Sequence, residues 1–160
     1  MNIKPRYSIL FVCLGNICRS PLAESVFRTK AQLAGFSFLV DSAGIINQHV
    51  GERPDQRALK LGEDNGYSFR NFHARQVREG DFSRFDYILA MDNETLKSLK
   101  SLSPIQYQSK LYLFLDFAGD TTKKNIPDPY FGGLSDFKKT LSAIEQGVDL
   151  LIEKLKEENN

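Results

Sequence analysis

The chain has 160 residues, of which 41% are hydrophobic and 26% are charged, and its 21 Lys and Arg against 20 Asp and Glu give a formal net charge of +1. These fractions predict one soluble domain over residues 1–160 and exclude a disordered or fibrous chain. Since the chain has no basic surplus and no apolar run near the roughly 20 residues of a membrane span, we expect no nucleic-acid partner and no membrane partner.

The first predicted element is a buried strand over Tyr7–Cys13, a nearly unbroken apolar run. Lys4 and Arg6 precede it, as basic residues precede the apolar segment of a signal peptide. However, the run is at the short limit for such a segment, and no small-residue cleavage site follows it. We therefore predict a strand and a cytoplasmic location.

A helix over 20–34 comes next, because Pro21 suits a first helical turn and an apolar stripe runs through Leu22, Val26 and Leu33. Gly35 ends this helix, and a second strand is predicted over 36–40. The later predicted elements are a helix over 54–65, a strand over 87–91, a helix over 93–102 capped by Asp92, a strand over 110–117 and a long helix over 135–158.

This alternation of strands and helices predicts the α/β class, with a single three-layer α/β domain and a central four-stranded parallel sheet that carries helices on both faces. In such sheets, ligands bind beyond the carboxyl ends of the strands. The segment after Cys13 occupies such a position.

That segment joins the first strand to the first helix and reads Cys13-Leu14-Gly15-Asn16-Ile17-Cys18-Arg19-Ser20. Unpaired N–H groups and the positive end of the helix dipole favour an anion at such a turn. Gly15 and Asn16 are residue types that accept the unusual backbone angles of a tight anion-binding loop. The pattern predicts a phosphate-binding loop.

Arg19 follows Cys13 by six residues, so a loop that wraps one phosphate brings the two together. A guanidinium fork can hold two phosphate oxygens, and the same positive surroundings favour a reactive thiolate at Cys13. The hydroxyl of Ser20 can donate a hydrogen bond to that thiolate. A cysteine at a strand end is often only a core residue, but the whole eight-residue pattern favours a nucleophile.

Metal binding is not expected. The four soft ligands of the chain, Cys13, Cys18, His49 and His73, lack the paired spacing of a zinc site. Two cysteines are also too few for a disulfide-rich secreted scaffold.

The loop, continued by residues 21–24, resembles the low-molecular-weight protein tyrosine phosphatase family. Further segments resemble family segments in family order, namely residues 41–44, 49–51, 54–58, 74–76, 91–92 and 128–130. The resemblance implies a protein tyrosine phosphatase that needs no metal or other cofactor. It assigns Cys13 as nucleophile, and Arg19 with the loop amides as phosphate ligands.

The resemblance also assigns Asp128 as the general acid that protonates the leaving oxygen. Asp128 lies in a segment bounded by Pro and Gly, where composition alone would equally well predict an ordinary turn residue. Tyr130 and Phe131 are assigned as aromatic walls of the pocket, although core packing is the alternative for Phe131. Many bacterial relatives have Trp at the pocket rim where Gln48 stands, so the substrate preference is expected to differ.

In relatives, a serine near the second strand holds the loop asparagine, and Ser42 and Asn16 match that pair. Relatives also carry a histidine shortly before Ala-Arg-Gln. Here His73 lies one position later and Phe72 takes that place, which puts the histidine's role in doubt. The resemblance implies a reversible Cys13–Cys18 disulfide under peroxide, and the alternative is that Cys18 only packs the loop.

Three other functions fit these residues less well. An arsenate reductase needs cysteines beyond Cys18, and phosphoarginine phosphatases carry Thr where Ile17 stands. A binding module without catalysis would have lost Cys13, Arg19 or Asp128. We therefore expect a phosphotyrosine protein or peptide as substrate, with tyrosine kinases among the candidates because bacterial relatives act on them, and a monomer or weak dimer. A phosphatase of a sugar-phosphate or exopolysaccharide pathway is the alternative that the resemblance leaves open.

Overall fold

The computed structural model describes residues 7–158, so Lys4 and Arg6 lie outside the described residues. Its four strands are β1 (Tyr7–Cys13), β2 (Phe38–Gly44), β3 (Tyr87–Ala90) and β4 (Leu111–Leu113). Its helices are α1 (Arg19–Leu33), α2 (Gln56–Asp64), α3 (Glu79–Arg84), α4 (Asn93–Leu102), α5 (Phe114–Ala118) and α6 (Leu134–Glu158), with a 3-10 helix over Ile105–Lys110.

The strands form one parallel sheet in the order β2-β1-β3-β4. In the register of the sheet, Cys13 pairs with Gly44 of β2 and Val12 pairs with Ala90 of β3. The carboxyl ends of these three strands therefore meet at one edge, and the segments that follow them converge there.

Helices cover both faces of the sheet. Alternate residues of β1 point to opposite sides, so each face contributes to a different apolar cluster. Ile9 and Phe11 join the apolar cluster that contains the buried faces of α1 and α6. Leu10 and Val12 join a second cluster with Phe82 of α3 and residues of α4. The predicted three-layer α/β fold with a four-stranded parallel sheet is confirmed.

The third strand ends one residue before its predicted limit, and two other predicted strands differ more from the structure. The second strand is β2, not residues 36–40, because hydrogen bonding to β1 continues through the small and polar residues up to Gly44. The fourth strand ends at Leu113, and the apolar residues from Phe114 onward form α5, which ends at Gly119 in the left-handed conformation (φ 92°).

The helix predictions differ less. Helix α4 has the predicted bounds, and the Asp92 carboxylate accepts a hydrogen bond from the Thr95 N–H as its cap. Helices α1, α2 and α6 lie within two residues of their predicted limits. The short helix α3 and the 3-10 helix were not predicted. Among residues 7–158, no helix is both long and apolar enough to span a membrane.

Candidate active site

The loop between β1 and α1 curls around the sulfur of Cys13. Asn16 takes a left-handed backbone conformation (φ 59°), and its N–H donates to Cys13 Sγ at 3.3 Å. Ser20, in the first turn of α1, places its Oγ 3.0 Å from the same sulfur. The sulfur is therefore surrounded by hydrogen-bond donors at the N-terminus of a helix, which is where a thiolate or a phosphate is stabilised.

The side chain of Asn16 fixes the shape of this loop. Its amide donates to Ser20 Oγ at 2.8 Å and to Ser42 Oγ at 3.0 Å, and its Oδ1 accepts from the Arg75 N–H at 3.0 Å. Asn16 is completely buried. The predicted contact between Asn16 and Ser42 is present. The three hydrogen bonds together hold the Asn16 side chain in place.

Glu24 is a member of this network that the sequence did not identify. Ser42 Oγ donates to Glu24 Oε1 at 2.7 Å, and Arg28 donates to Glu24 Oε2 at 2.8 Å. Burial raises the pKa of the Glu24 carboxyl, and the hydrogen bonds from Ser42 and Arg28 only partly offset that effect. His73 is exposed and lies outside the network, and Phe72 packs against the core.

Arg19 is held by Asp92, which comes soon after β3, and by the segment that precedes Asp128. Its side chain is 4% exposed, and Nη1 donates to Asp92 Oδ2 at 2.5 Å and to the Ile126 carbonyl at 3.1 Å. Burial acts to raise the pKa of Asp92, but the hydrogen bonds from Arg19 and the Thr95 N–H outweigh it and leave that pKa below its usual value. Asp92, predicted only as a helix cap, thus also orients the guanidinium.

Asp128 comes to the other side of Arg19, with Oδ2 3.6 Å from Nη2. Its side chain is 46% exposed, so it faces the open side of the site. The segment before it is anchored by the Ile126 N–H, which donates to the Met91 carbonyl, and by Thr140 Oγ1, which donates to the Pro127 carbonyl. The structure therefore brings all three predicted catalytic residues together.

A cavity of about 180 Å³ opens above the loop. It is lined by Cys13, Leu14, Gly15, Ile17, Cys18, Arg19, Ile46, Gln48, His49, Asp128, Tyr130 and Phe131. The rings of Tyr130 and Phe131 meet edge to face at 4.9 Å. Phe131 is 96% exposed, so it does not pack in the core and stands at the mouth of the cavity. Gln48 and His49 line the same cavity, and the His49 ring lies edge to face with Tyr130 at 6.4 Å.

Cys18 is a buried free thiol in the same loop, as is Cys13. Burial raises the pKa of the Cys18 thiol, and the negative charges of Asp55, Cys13 and Asp128 raise it further. The positive charge of Arg57 acts in the opposite direction. The Cys13 sulfur differs in that it lies within hydrogen-bond distance of the Asn16 N–H and Ser20 Oγ. Within residues 7–158, no cluster of His, Cys, Asp or Glu could hold a metal ion.

Comparisons with known proteins find relatives over nearly the whole chain. The family model for low molecular weight phosphotyrosine protein phosphatase matches residues 8–160. The chain is 40% identical over 153 residues to the low molecular weight protein-tyrosine-phosphatase YfkJ of Bacillus subtilis, covering 94% of this chain and 97% of that protein. The solved structure of YfkJ matches with a TM-score of 0.91 at 37% identity, covering 99% of this chain and 100% of that one. A protein tyrosine phosphatase from Entamoeba histolytica, solved with Hepes in its active site, matches with a TM-score of 0.89 at 38% identity, covering 96% and 99%.

Proposed function

This chain belongs to the low molecular weight phosphotyrosine protein phosphatase family and is a protein tyrosine phosphatase, and we propose that it works through a phosphocysteine formed at Cys13. The observation that carries this proposal is the arrangement around one sulfur. Cys13 Sγ lies within hydrogen-bond distance of the Asn16 N–H and Ser20 Oγ, at the start of the helix that presents Arg19. We take phosphotyrosine proteins or peptides as the substrates.

In the first step, the Cys13 thiolate attacks phosphorus in line with the leaving tyrosine oxygen. The phosphate oxygens are held by the N–H groups of residues 14–19 and by the Arg19 guanidinium, which stabilise the charge on the group in transfer. Because Asp92 and the Ile126 carbonyl already fix one side of the guanidinium, its remaining N–H groups are oriented without further ordering at the moment of reaction.

Asp128 supplies the proton. As the P–O bond to tyrosine breaks, the Asp128 carboxyl gives its proton to the phenolic oxygen, which leaves as neutral tyrosine with a pKa near 10. The Asp128 carboxylate then takes a proton from the water that attacks the phosphocysteine, which restores the thiolate and releases phosphate. The half-exposed position of Asp128, open to the cavity, supports both roles.

The cavity walls support an aryl substrate. Tyr130, Phe131 and Gln48 line the cavity that contains Cys13, so a phenyl phosphate can enter beside the two rings toward the sulfur. Ser42 supports the loop by holding Asn16.

We also propose that residues 1–160 form one domain, that the chain is cytoplasmic and a monomer or weak dimer, and that Arg19 and the loop amides make a metal unnecessary.

The decisive experiment measures phosphate release from a phosphotyrosine peptide near pH 6, in the presence of a chelator. We expect turnover by the native chain, none by Cys13→Ser, and turnover by the matched control Cys18→Ser, which changes the other cysteine of the same loop. No turnover by the reduced native chain would overturn the proposal. If a phosphoarginine peptide were hydrolysed in preference, the reaction would stand but the substrate class would be wrong.

The same variants test the redox behaviour of the site. Peroxide converts the Cys13 thiolate to a sulfenic acid, and condensation with the Cys18 thiol would release water and form the disulfide. We then expect a thiol reductant to restore activity to the oxidised native chain but much less to oxidised Cys18→Ser. Equal recovery in both would show that Cys18 only packs the loop.

A further inference from the structure

We propose that Arg57 is a positioning residue for the proton-transfer step, because it connects the phosphate loop to the segment that carries Asp128. This inference rests on the proposed role of Asp128 as the general acid. Arg57 lies in the first turn of α2 and does not line the cavity. Its effect on the reaction is therefore through the backbone that it holds.

On one side, Arg57 binds the segment just after Asp128. Nη2 donates to the Tyr130 carbonyl at 3.0 Å and Nη1 donates to the Gly132 carbonyl at 3.2 Å. The Tyr130 N–H in turn donates to Asp128 Oδ1 at 3.1 Å. The guanidinium therefore fixes the backbone of the residue that orients the carboxyl.

On the other side, Arg57 pairs with Asp55. Nε donates to Asp55 Oδ1 at 3.1 Å and Nη2 donates to Oδ2 at 2.9 Å, so the carboxylate is held in a two-point pair. The Asp55 N–H donates to the carbonyl of Ile17, within the phosphate loop, at 2.8 Å. One guanidinium and one aspartate thus span the distance between the nucleophile's loop and the acid's loop.

The plane of the guanidinium is also fixed. Its carbon lies 4.5 Å from the ring centre of Phe137, a buried residue of α6, and 5.9 Å from the ring centre of Tyr130. Stacking on a ring leaves the N–H groups at the edge free to donate to the two carbonyls and the carboxylate. A lysine at this position has neither the flat face nor the fork.

The contact matters because, within residues 7–158, the backbone just after Asp128 otherwise has only local hydrogen bonds, such as that from the Gly132 N–H to the Pro129 carbonyl. The Met91 carbonyl and Thr140 hold residues 126 and 127, whereas the chain after Asp128 runs to an exposed turn with Phe131 at its tip. General acid catalysis requires the carboxyl within hydrogen-bond reach of the leaving oxygen. Loss of the Arg57 contacts would let this turn move and carry the carboxyl out of reach.

The test compares two aryl phosphates that differ in how much they need the acid. Departure of phenol, with a pKa near 10, depends on protonation, whereas the much more acidic p-nitrophenol leaves readily without it. For Arg57→Gln, we expect kcat/KM for phenyl phosphate to fall by about 10- to 100-fold, the scale of a misplacement near 1 Å. For p-nitrophenyl phosphate, we expect a much smaller loss. Asp128→Asn gives the reference for complete loss of the acid.

Arg53→Gln is the matched control. Arg53 also donates to two backbone carbonyls, those of Phe69 and Phe72, both at 2.8 Å, but it does not contact the segment after Asp128. We expect its ratio of kcat/KM values for the two substrates to equal that of the native chain. Arg57→Lys is a second variant that keeps the positive charge, and we expect it to show the same selective loss as Arg57→Gln.

The results separate the two proposals. If Asp128→Asn loses phenyl phosphate selectively but neither Arg57 variant does, Arg57 is only structural and the inference is overturned while the proposed function stands. If the Arg57 variants lose kcat/KM equally on both substrates, Arg57 is again only structural and the inference is overturned. If Asp128→Asn itself shows no selective loss, Asp128 is not the acid, and both the mechanism and this inference are wrong.

Discussion

Replacing Gly44 with alanine tests how closely β2 approaches the phosphate loop. A Cβ at this position would lie 2.9 Å from the Leu14 carbonyl oxygen, 3.0 Å from the Gly15 carbonyl carbon and 3.1 Å from the Asn16 nitrogen. All three are backbone atoms, so no change of side-chain rotamer can relieve the contact.

The new methyl group must therefore displace either the loop or β2. The strand is fixed at this residue, because the Gly44 N–H donates to the Arg75 carbonyl and its own carbonyl accepts from the Val77 N–H, both at 2.8 Å. We expect the loop to move. Overpacking of this kind costs about 1–3 kcal/mol of folding free energy. Since the Asn16 N–H points at the Cys13 sulfur, the shift also disturbs the nucleophile, and we expect kcat/KM to fall by up to about 100-fold.

The measurements are urea unfolding and kcat/KM with p-nitrophenyl phosphate. Gly80→Ala is the control, since its new Cβ meets no atom within 4 Å and an alanine in the helix α3 is expected to stabilise slightly, by up to about 1 kcal/mol. If Gly44→Ala has the same urea unfolding midpoint and the same kcat/KM as the native chain, the close packing of β2 against the loop does not constrain the site, and the argument fails.

Three further outcomes follow from the site. In Asp92→Asn, the buried Arg19 cation loses the nearer of the two carboxylates that it contacts within residues 7–158 and keeps Asp128 at 3.6 Å, and we expect urea unfolding to show the folding free energy reduced by about 3 kcal/mol at neutral pH. The pKa of Asp92 lies below its usual value, so the stabilisation by the Asp92 carboxylate is complete at pH values above the ordinary aspartate pKa. It is lost as pH falls through the folded-state pKa, and the unfolding free energies of the native chain and the variant should therefore converge in acid. The raised pKa of Glu24 has the opposite effect: the unfolding free energy of the native chain falls as pH rises from the ordinary glutamate pKa through the folded-state pKa. Urea unfolding of Glu24→Gln should not show this fall. Ser20→Ala removes the hydroxyl 3.0 Å from Cys13 Sγ, and phosphate-release assays should show kcat reduced about 10- to 100-fold, the range for a hydrogen bond to a charged group.

Local sequence patterns were sufficient for the centre of the site. The strand over Tyr7–Cys13, the loop after it and the start of α1 are contiguous in the chain, and each follows from residue types that are strong signals on their own. Gly15 and Asn16 belong in a tight turn, and Asn16 has the positive φ that this role requires. Asp92 likewise caps α4 as its position before the helix predicts.

An apolar run without periodicity was the source of the error in the fourth strand. Residues 110–117 contain enough large apolar side chains for a buried strand, but a short buried helix has the same composition. In the structure the run is divided, with β4 followed at once by α5. The error in β2 is of the opposite kind, since Asp41 and Ser42 are poor strand formers that pairing with β1 holds in extended conformation.

Residue pattern alone does not predict the contacts that orient the site, because they depend on strand order. The contact of Asn16 with Ser42, 26 positions away, was predicted only through the family resemblance, and the contact of Arg19 with Asp92, 73 positions away, was not predicted. Alternation of strands and helices predicts a parallel sheet, but it does not say which strands flank β1. Once the order β2-β1-β3 is known, the rest follows, since the ends of β2 and β3 must lie on either side of Cys13. The small residues Ser42 and Gly44 at the end of β2 and the carboxylate of Asp92 after β3 are then the groups that meet the loop. The proposed nucleophile and the phosphate loop are therefore encoded in one contiguous segment, whereas the order of the strands brings Asp92 to them and the fold adds Asp128 from a distant segment.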